Sequence, residues 1–301
     1  MFYFEQFPNS ILQAGAIFLS IIIEALPFVL IGSILSGFIE VYITPDIVQR
    51  FLPKNRWLRI LFGTFIGFVF PSCECGVVPI VNRLLEKKVP AYTAIPFLVT
   101  APVINPIVLF ATYTAFGNSY KFAFYRALGS IIVALIVGGI LMFGVKEPVV
   151  KEGQQTDNHH AFTNQKGWAK FGYAWVHAID EFFDTGRYLV FGCLFASLVQ
   201  VYVPTGLLTR IGHNPLTATL LMMVLAFLLS LCSEADAFIG ASFLSSFGFA
   251  PIIAFLVIGP MIDIKNVLMM HHYFKGKFII GFIVTISIVI LSYSLLIGGF
   301  A

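Results

Sequence analysis

Charge is what this chain has least of. Asp, Glu, Lys and Arg make up 11% of its 301 residues against 58% hydrophobic residues, and the mean hydropathy is +0.91. That balance excludes a soluble globular domain, which could not bury so much apolar surface, and indicates an all-α, polytopic integral membrane protein. No basic residue precedes Arg50, so the n-region of a cleaved signal peptide is missing and the first apolar stretch is expected to remain as an anchor. No Walker-type phosphate loop occurs, which excludes a built-in ATPase, and no Ser/His/Asp arrangement suggests nucleophilic catalysis. The chain therefore reads as a non-enzyme with no resident cofactor. The 33 Phe residues show no stacking pattern for nucleotides or nucleic acid. Cysteine is sparse as well, four residues with two in one tripeptide, which does not read as a disulfide framework and fits reduced thiols or a soft ligand site.

What is present is apolar and interrupted. Charge-free runs at 127–145, 215–232 and 278–301 each approach the ~20 residues needed to cross a bilayer. Residues 9–40 form another long apolar helix, which carries an acid expected to be buried, Glu24, and then Pro27. Two further segments, 58–82 and 91–116, are broken, the first at Pro71-Ser72-Cys73-Glu74-Cys75-Gly76 and the second at Pro102-Val103-Ile104-Asn105-Pro106. Proline removes a helical hydrogen bond at each place. The single long polar stretch reads as a linker, dividing the chain into a first membrane repeat (1–145), a linker (146–179) and a second repeat (180–301). The linker's His159-His160 pair is read as solvated. The basic run Arg50, Lys54, Arg56 and Arg59 is expected to face the cytoplasm.

The two halves resemble one another at an offset of 158 to 160 residues: Gly32 answers to Gly192, Cys75 to Glu234, Phe97 to Phe255, Pro102 to Pro260 and Asn105 to Asp263. This reads as a duplicated 4+4 segment architecture with broken or re-entrant helices in each half. Counting Lys and Arg favours hairpins over crossings, and both stay open. Paired breaks of this kind point to a transporter's binding site.

A charged side chain at bilayer depth costs roughly 2.5 to 3.5 kcal/mol on insertion scales, so Glu74 needs water, a partner or a function. Its flanking thiols, Cys73 and Cys75, suit soft acceptors. Two residues apart, they reach one ligand together only from extended backbone. The substrate-binding set is expected to be Cys73, Glu74, Cys75, Cys232, Glu234, Asp236, Asn105 and Asp263, since duplicated breaks should meet. Within it, Cys73, Cys75, Cys232 and Glu234 are the candidate ligands of a metal or metalloid substrate, and Glu24, Glu74 and Glu234 the candidate proton carriers. Plainer roles stand beside these. Cys193 reads as packing, Asp184 with Arg187 as an ion pair, and Asn105 and Asp263 serve equally well to satisfy backbone groups freed at the breaks.

Through the Pro71 to Gly76 stretch, the Pro102 to Pro106 stretch and Cys232-Ser233-Glu234-Ala235-Asp236-Ala237-Phe238, nearly the whole chain resembles the YraQ/YcgR-type predicted permeases. That family also holds the ArsP organoarsenical exporters. The resemblance implies a multi-pass permease of the cell (inner) membrane, with trivalent organoarsenical efflux as one family activity and a second small membrane protein as a partner. The leading expectation is a gradient-driven permease for a thiophilic metal or metalloid. The alternatives are a zinc or other divalent cation permease, a membrane thiol oxidoreductase working through Cys73 and Cys75, and a structural subunit of a membrane complex.

Overall fold

The computed structural model describes residues 9–44, 47–48, 50, 52–69, 73–144, 149–151, 168–202 and 214–299. Phe70, Pro71 and Ser72 at the first break, and His159 and His160 of the linker, lie outside them. Helices account for nearly all of the described chain. In order they are α1 (Asn9–Tyr42), α2 (Arg56–Val69), α3 (Glu74–Glu86), α4 (Ala91–Ile104), α5 (Pro106–Ala115) and α6 (Tyr120–Gly144), then α7 (Trp168–Tyr202), α8 (Pro215–Leu229), α9 (Ser233–Phe247), α10 (Phe249–Ile258), α11 (Ile264–Tyr273) and α12 (Gly276–Gly298).

Among the described residues, five stretches are long and apolar enough to cross a membrane: Ser10–Tyr42, Ala91–Ala115, Tyr120–Gly144, Lys170–Tyr202 and Gly276–Gly298. The protein is thus an all-α polytopic membrane protein. One expected span is not among them. At 15 residues, α8 is about 22 Å long, short of the ~30 Å hydrocarbon core. It ends early because Ser230 adopts the left-handed conformation (φ 48°, ψ 48°), which no helix continues. The span expected at 127–145 starts earlier, at Tyr120, and so takes Arg126 inside the helix.

The other breaks also have local causes. Asn105 precedes Pro106 and is held at ψ 134°, as the steric demand of a following proline requires, so α4 stops there. Its side chain then accepts from the Ile107 N–H at 2.9 Å and caps α5, with Pro106 at the first helical position. Asp263 does the same for α11, accepting from the Asn266 N–H at 2.6 Å.

Two helices are apolar on every side and buried almost throughout, α4 and α10. They form the centre, as an all-round hydrophobic helix must. Around them α4 packs on α2, α3 and α6, and α10 on α8, α9 and α12. The first six helices meet the last six through α1 on α7, α6 on α12, α3 on α11 and α5 on α9. Large apolar side chains such as Ile23, Phe183 and Phe191 point outward, where lipid would cover them. At one crossing the backbones nearly touch: a Cβ added to Gly32 of α1 would lie 2.7 Å from the Gly76 carbonyl of α3. Small residues permit that approach in a membrane, where packing drives helix association. It sets the start of α3 against the middle of α1.

Candidate functional site

The site gathers around the first turn of α3. Cys73 has extended backbone (φ −81°, ψ 170°) and precedes the helix, so Glu74 and Cys75 open it and all three side chains are buried. Glu74 meets a cation absent from the expected set. Lys265, near the start of α11 and 2% exposed, places Nζ 3.5 Å from Glu74 Oε1 and 3.6 Å from Asp263 Oδ2. Its backbone N–H donates to Ser230 Oγ at 3.3 Å, tying α11 to the break after α8. Gly192 of α7 lets α11 sit this close, since a Cβ there would lie 3.1 Å from Lys265 Cα.

A second buried cation holds the start of α9. Arg126 of α6, fully buried, donates from Nη1 to Thr112 Oγ1 at 2.6 Å and from Nη2 to the Ser233 carbonyl at 2.9 Å. The Ser233 hydroxyl in turn donates to Glu74 Oε2 at 3.3 Å. One serine therefore joins the carboxylate of α3 to the guanidinium of α6. Each contact answers the cost of burying an unpaired charge, which removing one partner would expose.

Beside this network lies a small cavity lined by Ile21, Glu24, Ala25, Phe28, Cys73, Glu74, Cys75, Cys232 and Lys265. Three of the four cysteines thus face one space, although they come from breaks 157 or more residues apart in sequence. Cys232 donates its S–H to Glu24 Oε1 at 2.6 Å, linking the α8–α9 break to α1. Glu24 is exposed along α1, contrary to the expectation of a buried acid, although it also lines the cavity. The helix is long and mostly outward-facing at that level, with Ile23 at 70% exposure next to it.

The remaining expected residues fall elsewhere. Asn105 and Asp263 use a side-chain oxygen each as helix caps. Glu234 is half-buried on α9 outside the cavity lining, and Asp236 is fully buried against α10. Among the described residues no three His, Cys, Asp or Glu side chains stand close enough to hold a metal ion, so Cys73, Cys75, Cys232 and Glu234 are not assembled into one ligand set in this conformation. Cys193 is fully buried in α7, and Asp184 pairs with Arg187 on the exposed side of the same helix.

Far from the cavity, at the other end of α3, a second polar cluster joins four helices. Arg83 pairs with Glu181 of α7 at 2.7 Å, with Glu86 at 2.8 Å and with Glu40 of α1 at 3.8 Å. Lys87 pairs with Glu40 at 3.2 Å, and Tyr273 of α11 donates to Glu181.

Buried thiols, paired intramembrane charges and a cavity at helix breaks are the parts of a membrane carrier. The sequence matches the ArsP_1 model, described as a predicted permease, over residues 10–299. The chain belongs to the ArsP_1 predicted permease family. A Streptococcus mutans protein named as a two-component membrane permease complex subunit is 64% identical over 99% of each chain. The UPF0718 protein YcgR of Bacillus subtilis is 48% identical over 97% of this chain and 99% of its own. The UPF0718 protein YraQ of Escherichia coli is 23% identical over 90% of this chain and 75% of its own. No solved structure matches.

Lys265 and Arg126 were missed by sequence reasoning, although each left a trace. Lys265 stands two residues after Asp263, an acid and a base together in an apolar setting. Arg126 directly precedes a charge-free run and passes for its interfacial end. Only packing shows that α6 buries it.

Proposed function

We propose that this permease moves a thiophilic metal or metalloid species, trivalent organoarsenicals being the class that fits best, through the cavity at the start of α3. The observation that carries the reading is the convergence of Cys73, Cys75 and Cys232 on one space that Lys265 also lines. Thiols must lose protons to bind a soft centre, and Glu74 and Glu24, the latter already accepting the Cys232 S–H, line the same space as acceptors for those protons. Three thiols on one space favour a soft metalloid joined to two or three sulfurs over zinc, which the lining carboxylates would also suit. Asymmetry between the starting points of the thiols, one before α3, one within it and one before α9, means that closing around substrate requires the two breaks to move together.

Transport is gradient-driven in this reading, with Glu74, Glu234 and Glu24 as proton carriers, because intramembrane carboxylates load and release protons as their surroundings change. The duplicated 4+4 segments supply the two breaks, and the chain sits in the cell membrane with residues 50–59 cytoplasmic. The S. mutans relative's name, a two-component complex subunit, supports a second membrane protein as partner.

Everted membrane vesicles test the substrate. Vesicles holding the wild-type protein should accumulate methylarsenite under a proton gradient, and Cys73→Ser or Cys75→Ser should abolish accumulation with the protein still folded and inserted. Wild-type uptake in the double serine variant would sink the thiol site. Uptake of zinc with none of methylarsenite would favour the divalent cation reading.

A further inference from the structure

Among the described residues, the charged side chains buried to 2% exposure or less are Glu74, Asp236, Asp263, Arg126 and Lys265, three acids against two bases. Lys265 lies between Glu74 and Asp263, and Arg126 donates to Thr112 and the Ser233 carbonyl. Asp236 is left over. It is fully buried, and neither of its carboxylate oxygens accepts a hydrogen bond. Isolated buried carboxylates do not persist bare, because desolvation outweighs what a low-dielectric interior returns.

The strongest opposing charge near it is the buried Arg126 guanidinium, which makes no hydrogen bond or ion pair with it. Lys265 is a weaker opposing charge, and Glu74 and Asp263 add like charge. At contact distance its surroundings add acceptors rather than donors. The carboxylate presses on Gly259 at the carbonyl end of α10, where an added Cβ would collide with Asp236 Oδ2 and lie 3.3 Å from the Phe255 carbonyl oxygen. Glycine at 259 is what admits the acid. Pro260 follows, and with no N–H it cannot supply the Leu256 carbonyl with its helical donor. The first turn of α9, which carries Asp236, favours an acid through its dipole, but the end of α10 opposes it. A carboxylate facing a helix's carbonyl end, without a donor, is an arrangement that binds cations in membrane carriers.

The fold itself does not demand this arrangement. At the sequence offset relating the halves, Asp236 answers to Val77 and Gly259 to Ala101, both fully buried apolar residues. The first half thus packs the same place without an acid.

We propose that Asp236 and the carbonyl end of α10 hold a small monovalent cation, a sodium ion or a proton, separate from the thiol cavity. Its role as a coupling ion rests on the permease reading; its existence does not. The full-length protein in detergent or nanodiscs, without any transported substrate, tests it. If sodium is the ion, ²²Na⁺ should bind saturably and competitively with unlabelled sodium, and Asp236→Asn should lose that binding. If the proton is the ion, ²²Na⁺ should not bind, and the infrared spectrum should show a protonated-carboxyl band that Asp236→Asn removes. Gly259→Ala keeps the acid but pushes it from the end of α10, so it should weaken sodium binding or shift the carboxyl band, which guards against misfolding of the Asn variant. The proposal is overturned if wild-type protein shows neither signal, or if either signal survives unchanged in both variants. Methylarsenite transport can fail in vesicles while these signals persist, which keeps the two readings apart.

Discussion

Glu74 and Lys265 depend on each other across 191 residues of sequence. Removing the lysine leaves two buried acids, Glu74 and Asp263, without their shared cation, whereas removing the Glu74 charge leaves Lys265 still facing Asp263. Lys265→Met should therefore cost about 3 to 5 kcal/mol, the usual loss when one partner of a buried pair is removed, and Glu74→Gln distinctly less. Thermal unfolding in detergent ranks them, and equal losses would contradict the geometry. Asn105 is a separable case because its observed work is capping. Asn105→Ala should lose about 1 kcal/mol, while Asn105→Ser keeps a capping oxygen and should retain both stability and transport. Transport lost in the serine variant at unchanged stability would make Asn105 a ligand after all. Cys193→Ala should transport normally, since this thiol is buried in α7 outside the cavity.

Helix α3 carries the thiol cavity at its first turn and the Arg83 cluster at its last, with Arg83 about 13 Å along the axis from Glu74. The cluster ties α3 to α1 and α7, and through Glu181 and Tyr273 to α11. Those same helices enclose the cavity's Lys265 and Glu24. An ion-pair network at one end of the enclosing helices can keep that end shut while the other opens. Arg83→Gln should loosen it and raise labelling of Cys75 by a membrane-impermeant maleimide severalfold, measured in a protein lacking Cys193 and from the side on which α3 ends. Unchanged labelling would leave the cluster a purely structural anchor. The breaks are as telling as the helices. Pro106 after Asn105 and left-handed Ser230 after α8 end helices for reasons readable one residue at a time.

For the whole molecule, the close relatives frame what the chain does alone and with others. If a second membrane protein completes the permease, a tagged chain purified in mild detergent from its native membranes should bring down one small membrane protein in fixed ratio. A chain that purifies alone and transports in reconstituted liposomes would remove the need for a partner. The all-α membrane class, the break positions and the thiol tripeptide were legible because each depends on local matters: hydropathy over ~20 residues, the missing N–H of proline, the periodicity of a helix. The shortfall of α8 was not legible, since its apolar run continues past Ser230 and composition does not register a left-handed turn. Nor was the split of the eight expected substrate residues, some into the cavity, some into caps and Asp236 buried against the end of α10. Composition and local pattern by themselves determined a membrane protein with polar breaks in its apolar segments. Tertiary structure decided that Glu74 meets Lys265, that Arg126 is buried on α9, and that Cys232 reaches Glu24 across 208 residues. Those pairings follow from which helices cross and at what depth, a property of packing among distant segments that no short window of residues contains.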